Sequence, residues 1–287
     1  NGMAQIDIRA YEIAVDACAA IDGHVDFTEY DRDGNGVIDN VFIFYAGRGE
    51  ASGGGENCVW PHSADISQIL GSGSDPIMYD GVQLDHYACA NERQASGVDG
   101  IGTFVHEFSH VMGLPDLYAT SSNFGGNSSF TPGEYSVMDH GPYNNNSRTP
   151  PHYSAFELEA LGWRELKILD SDGGVVLPDI ADGGGCKVVN SGNADEYYIF
   201  EYRSGKGWDA YIPGHGMLVW HIHYDPAVWT GNVVNNSPDH QYVDLMEADG
   251  IQSVSTRAGD PFPGTSGVTS FTDKTTPAFR FWNGRAA

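Results

Sequence analysis

An α+β fold is what this sequence predicts, in two parts: a mixed sheet-and-helix unit over residues 1–165 and a β-rich unit over residues 166–287. Three observations carry the prediction. Helical periodicity is confined to the first part, over residues 3–21, 100–112 and 153–162. A continuous apolar run at 41–45 lies between the first two of these and reads as a buried strand. From about residue 166 glycines cluster at 183–185, and short runs rich in aromatic and β-branched residues follow without a long helix.

Each element has its own reason. In the first helix Met3, Ile6, Ala10, Ile13, Ala14, Ala17, Cys18 and Ile21 keep helical spacing, which makes Cys18 a candidate core thiol. An acidic turn follows: Asp31, Asp33, Asn35, Gly36, Val37 and Asp39 match positions one to nine of an EF-hand-type loop. Side-chain oxygens of Asp31, Asp33, Asn35 and Asp39 and the carbonyl of Val37 are the expected calcium ligands, with Gly36 at the sharp turn. Position twelve is Phe42, which belongs to the strand, so this is not a helix-loop-helix sensor. Glycines at 53–55 and 71–73 mark loops.

The helix over 100–112 carries the most informative residues, His106-Glu107-Phe108-Ser109-His110. Side chains four apart on a helix share a face one turn apart, so both imidazoles can reach one zinc ion at about 2.0–2.1 Å. Glu107 then stands beside the coordination position left for water, as a general base. A shuffled chain of this composition would contain the short motif about once in fifty. Gly113 and Asp116 at their offsets reduce that chance about eighty-fold, so two unrelated surface histidines are a poor explanation. Ile101, Phe104, Val105, Phe108, Val111 and Met112 form an apolar stripe expected to bury the helix. Gly113 ends it and Pro115 forbids its continuation, so the chain turns back and Asp116 becomes the expected third ligand. Three protein ligands with an open position are a catalytic rather than a structural zinc pattern.

A Ser-, Asn- and Gly-rich loop is expected over 119–135, then a helix over 153–162 ended by Gly162, then strands at 197–202, 217–223 and 242–247. His221 and His223 alternate on one strand face, more in keeping with a core and a hydrogen-bonded histidine than with a shared metal. Glu247, Asp249 and Asp260 read as a solvated acidic loop. Cys18, Cys58, Cys89 and Cys186 permit three pairings, of which Cys58 with Cys89 is favoured.

Net charge is −25, with 14 basic against 39 acidic residues, which argues against nucleic acid or an anionic membrane as partner. Such a chain self-repels unless cations offset the charge, in keeping with bound calcium. Aromatic residues at 12 % and hydrophobic residues at 40 % exclude a disordered acidic tail. No apolar run is long enough to span a membrane, and no signal peptide is visible at Asn1.

With these residues in place, the chain resembles the immune inhibitor A family of secreted bacterial zinc metallopeptidases, which are metzincin-like zincins. The zinc helix is the most specific part. Ser136-Val137-Met138-Asp139-His140-Gly141 resembles the family's methionine turn, and Trp60-Pro61-His62, the segment 156–163, the segment 207–216 and Glu247-Ala248-Asp249-Gly250 resemble other family stretches. The family commonly has an acidic residue after the Asp of the third-ligand position; here it is Leu117, which removes a rival to Asp116. A tyrosine often follows the Met in metzincins, and Tyr118, Tyr143 and Tyr153 are all available for that place. The resemblance implies a zincin-type catalytic unit over 1–165, with a mixed sheet, a zinc helix and a backing helix, and a β-rich unit packed on it. It further implies an extracellular zinc endopeptidase, expected as a monomer, that hydrolyses polypeptides by Glu107-assisted attack of zinc-bound water. An upstream signal and propeptide are also implied. The rivals are a calcium-stabilised extracellular binding or adhesion module with a vestigial site, and a zinc hydrolase of non-protein amides or esters.

Overall fold

The first helical stretch becomes regular as α1 (Glu12–Ile21). The computed structural model describes residues 9–121 and 129–287; Met3 and Ile6 of the expected helix, and residues 122–128 of the expected loop, lie outside these. The chain divides into two compact units, Asn1–Met112 and Gly113–Ala287.

In the first unit, Ala14 and Cys18 of α1 pack with Phe27, Ile38, Ile66, Val82, Leu84 and Tyr87 in one buried cluster. The apolar run at 41–45 forms the start of β1 (Val41–Arg48). After it come β2 (His62–Asp65), α2 (Ile66–Leu70), the hairpin β3 (Met78–Tyr79) and β4 (Val82–Gln83), β5 (His86–Gln94) and β6 (Gly97–Val98). The sheet is mixed, in the order β1–β5–β2 with β6 also on β5; β1 runs parallel to β5, and β2 and β6 run antiparallel to it. Its centre, β5, is rich in small residues: Ala88, Cys89 and Ala90 are buried. Helix α3 (Gly102–Val111) packs on β5 and β2.

One expectation is corrected here. The stripe of Phe104 and Phe108 was to face the core, yet the buried residues of α3 are Gly102, Glu107 and Ser109. The aromatic stripe is only half-buried and stacks instead against β1, with Phe42 and Phe104 ring centroids 4.7 Å apart. The small side chains of β5 let the helix turn its polar side toward the sheet, a choice that periodicity alone does not encode.

In the second unit, a single turn α4 (Asn144–Ser147) holds Asn145 and Asn146 in the left-handed region, which Asn tolerates better than most residues. Helix α5 (Ala155–Ala160) starts with a capping box: Ser154 Oγ accepts from the Glu157 backbone N–H, and Glu157 reaches back to the Ser154 N–H. Gly162, at φ +69°, ends it as expected. The remaining elements are β7 (Lys167–Ile168), β8 (Cys186–Asn190), β9 (Asn193–Arg203), β10 (Gly216–His223), α6 (Pro226–Thr230), β11 (Val243–Leu245) and β12 (Phe262–Pro263). They build a six-stranded sheet in the order β11–β10–β9–β8–β7, with β12 also on β10, antiparallel except for β7 with β8. By this division residues 113–165 group with the sheet-rich half of the chain.

Candidate metal centre and active site

Helix α3 brings its candidate residues together as the four-residue spacing requires. Ligand-capable atoms of His106, Glu107 and His110 lie within 4.8 Å of one another. The two imidazoles meet edge to face, with ring centroids 4.8 Å apart. Two imidazole nitrogens and a neighbouring carboxylate are a donor set suited to zinc. Glu107 is 7 % exposed and lies against the sheet. Burial pushes the Cys89 thiol up to about 12, and the nearby Glu107 carboxylate adds to that rise. Tyr45 is likewise pushed well above the ordinary phenol range, chiefly by burial, with Glu107 among the acidic groups around it. Glu107 is therefore walled by groups that stay protonated at neutral pH.

Behind this site, His62 holds Tyr87 through Nε2 at 2.6 Å and the Trp60 carbonyl through Nδ1 at 2.6 Å. Cys89 Sγ lies 3.4 Å from His62 Nδ1, and Cys58 Sγ donates to the Gly54 carbonyl at 3.1 Å. All four cysteines are free thiols, so the expected Cys58–Cys89 bridge is corrected; each sulfur has found a backbone or imidazole partner or a core position instead.

Gly113 follows α3 with φ +98°, the left-handed turn that its residue type predicts. Asp116 lies in the second unit, 5 % exposed, and Asn232 meets both its backbone and its side chain: its N–H donates to Asn232 Oδ1 at 2.7 Å, and its Oδ2 accepts from Asn232 Nδ2 at 2.7 Å. Asn232 stands 116 positions away, with no local signal to announce it. The next residue, Leu117, donates its N–H to the Met138 carbonyl at 2.8 Å. Met138 is fully buried in a tight turn closed by Gly141 N–H on the Ser136 carbonyl at 3.0 Å. Ser136 Oγ accepts from Met138 N–H at 2.9 Å and donates to Glu157 Oε1 at 2.6 Å, so the turn is tied to the cap of α5. The Ser154-x-x-Glu157 spacing is a capping-box signal that the sequence reading passed over, and its second role, holding the methionine turn, has no sequence signal. Of the three tyrosines, Tyr143 is 59 % exposed and Tyr153 packs edge to face on Trp163.

The acidic loop of the first unit is equally well formed. Carboxylate oxygens of Asp31, Asp33 and Asp39 lie within 4.8 Å of one another. Asp31 accepts from the N–H groups of Asn35 and Gly36 at 3.0 and 2.9 Å, and Asn35 Oδ1 accepts from Val37 N–H at 2.8 Å. Gly34 and Gly36 take positive φ, and Gly36 and Ile38 pair with Gln83, anchoring the loop to β4. An all-oxygen set around one point suits a hard cation such as calcium.

The other clusters come out differently. Among the described residues, the groups of three or more metal-capable side chains that converge are the two already described. His221 Nε2 pairs with Glu196 Oε1 at 2.9 Å, while His223 Nδ1 meets His240 Nε2 at 2.9 Å, a partner the spacing did not indicate. The solvated reading of Glu247, Asp249 and Asp260 is corrected: Asp260 is 4 % exposed, and burial beside Asp249 pushes its carboxyl up to about 8. Burial, with Asp244 nearby, also pushes Glu247 far above the carboxylate range.

Comparison with known proteins gives the family. The model of the immune inhibitor A peptidase M6 catalytic domain matches residues 3–166. Immune inhibitor A of Bacillus thuringiensis subsp. alesti is 30 % identical over 124 residues, covering 36 % of this chain and 17 % of that protein. The pre-pro-metalloprotease PrtV of Vibrio cholerae serotype O1 is 28 % identical over 137 residues, covering 40 % of this chain and 14 % of that protein. The chain thus spans a small part of the length of these curated relatives. With its family match extending over more than half of its residues and enclosing the histidine helix, the chain belongs to the immune inhibitor A family of metallopeptidases.

Proposed function

We propose that this protein is a zinc-dependent endopeptidase acting on polypeptides, with His106, His110 and Asp116 as the zinc ligands and Glu107 as the catalytic base. The observation that carries the reading is the meeting of His106, His110 and the buried Glu107 within 4.8 Å on one helical turn. Zinc, when bound, supplies Lewis acidity that polarises the scissile carbonyl and acidifies water. Glu107 takes the proton of the attacking water on its carboxylate and passes it to the leaving amine. The sequence supports Asp116 as third ligand, six residues after His110 beyond the Gly113 turn. Asn232 would fix its carboxylate, as outer hydrogen bonds commonly orient metal ligands.

The finer parts of the reading go with it. The catalytic unit is a zincin extending to about residue 165, in keeping with the end of the family match at residue 166, with a β-rich unit after it. Calcium occupies the 31–39 loop through Asp31, Asp33, Asn35, Val37 and Asp39. The protein acts outside the cell as a monomer, the location following the resemblance to secreted peptidases.

Glu107→Gln tests the assignment. The variant should retain about one zinc per chain by metal analysis and lose at least a hundredfold in hydrolysis of a peptide library. Retained hydrolysis would remove Glu107 as base. Wild-type protein that binds zinc yet cleaves no peptide would point to a binding module.

A further inference from the structure

We infer that the cleft beside His110 selects a cationic side chain of the substrate polypeptide, and that Asp65 sets this preference. The inference rests on the peptidase reading and adds the class of substrate.

A cavity of about 440 Å³ opens within the first unit, and Asp33, Asp39, Ser63, Asp65, His86 and His110 line it. It therefore joins one imidazole of the candidate metal centre to the end of strand β2. Ser63 and Asp65 are two apart on β2, so their side chains share a face. Asp65 is paired in register with His86 on β5, and His86 Nδ1 lies 2.6 Å from Asp65 Oδ1. Gln68 Nε2 donates to Asp65 Oδ2 at 2.5 Å. The carboxylate is thus held from both sides while its side chain stays 31 % exposed to the cleft.

The lining's ionisable groups are three carboxylates and the imidazoles of His86 and His110. No lysine or arginine lines the cavity, and three aspartates do. Calcium on the 31–39 loop offsets Asp33 and Asp39, which leaves Asp65 as the carboxylate acting whether or not the loop is filled. A low-dielectric cleft lined by one sign of charge concentrates the opposite one. Asn35 and Val37 of the calcium loop also line the cavity, so calcium takes up that end, and the inferred path for a lysine or arginine chain runs between Asp65, which meets its charged end, and His110, beside which the peptide backbone lies. A glutamate placed there meets Asp65 and the rim at close range.

The test uses zinc-loaded protein with calcium present and peptide sets identical except for Lys or Glu at one position around the scissile bond. At one position kcat/KM should favour Lys by about tenfold, the scale expected when a half-exposed charge pair is attractive in one peptide and repulsive in the other. Raising NaCl from about 0.05 to about 0.5 M should compress the ratio, because the Debye length shrinks several-fold. Asp65→Asn should bring it toward one. The same Lys and Glu peptides are titrated onto the Glu107→Gln protein by fluorescence anisotropy, which reads the preference without turnover. Binding that favours Lys with no hydrolysis by wild type would end the peptidase reading and leave the acidic subsite standing. Equal kcat/KM and equal binding for Lys and Glu at every position would overturn the inference. So would a preference that survives both Asp65→Asn and high salt.

Discussion

Glu157 is the residue whose replacement tests how the methionine turn is held. Its carboxylate is fully buried, accepts from Ser136 Oγ at 2.6 Å and from Ser154 N–H at 2.6 Å, and closes the capping box of α5. Burial raises its pKa, and the Ser136 and Ser154 hydrogen bonds hold that rise back. Glu157→Ala keeps the Ser154 Oγ cap on the backbone N–H of residue 157 but removes the reciprocal half of the capping box, leaving the Ser136 hydroxyl and Ser154 N–H unsatisfied at about 1–3 kcal/mol each. Part of this is regained because a buried carboxylate no longer has to be desolvated. The expected loss is about 2–4 kcal/mol from these terms. Glu157→Gln keeps the shape and one acceptor, but its amide N–H must face Ser136 Oγ, which already accepts from Met138 N–H. Its cost should be about 1–2 kcal/mol. Urea denaturation followed by tryptophan fluorescence reads both. With a slope of about 2 kcal/mol/M, the Ala variant's midpoint should fall by about 1–2 M and the Gln variant's by less than about 1 M. The Ser136→Ala, Glu157→Ala double-mutant cycle should show a coupling of about 1–2 kcal/mol. A Glu157→Ala midpoint equal to wild type, or a coupling near zero, would refute the claim that this carboxylate ties turn to helix.

Two further outcomes follow from the electrostatics. Removing calcium with EGTA while zinc is retained should lower the melting temperature of the first unit by about 10 °C, from about 2.7 kcal/mol of binding at a hundredfold excess over Kd. Asp39→Asn should shrink that shift, and an unchanged melting curve would eliminate calcium from the loop. In the second unit, Asp260 is raised from 3.8 to about 8, so the folded state holds a proton that the unfolded chain releases. Its contribution is present below pH 4 and is lost as pH rises toward 8. His221, lowered from 6.5 to about 4 by burial, acts oppositely, contributing above 6.5 and losing that contribution as pH falls toward 4. The two oppose each other in mild acid, so a net fall of a few kcal/mol is expected between about pH 6.5 and 8. Asp260→Asn should flatten that fall in chemical denaturation at stepped pH; an identical pH profile in the variant would show that Asp260 does not carry it.

Much of the site was legible because its determinants act over one helical turn or one tight loop. The spacing of His106 and His110 is a property of helix geometry, Gly113 of backbone sterics, and the 31–39 loop of short side chains that bond their own backbone. The strands expected at 197–202 and 217–223 lie within β9 and β10, since aromatic and β-branched runs carry that preference locally. The histidine pair His223 with His240, the clasp of Asn232 on Asp116 and the burial of Asp260 depend on how separate segments pack, and no local spacing pattern joins the partners.

The sequence by itself determined the chemistry available: which residues can hold a divalent ion, which carboxylate stands beside them, where the helix must stop, and that the chain is strongly acidic. The tertiary structure alone decided what surrounds them. It turned Glu107 and Ser109 of α3 toward β5, left the phenylalanines half-buried, kept all four cysteines apart from one another as thiols, and placed Asp65 and His86 beside His110 around one cavity. The physical reason is range. Backbone sterics and hydrogen bonds between near neighbours are written into a few consecutive residues, whereas burial and the pKa values it shifts are settled only when every packed surface competes for the same interior.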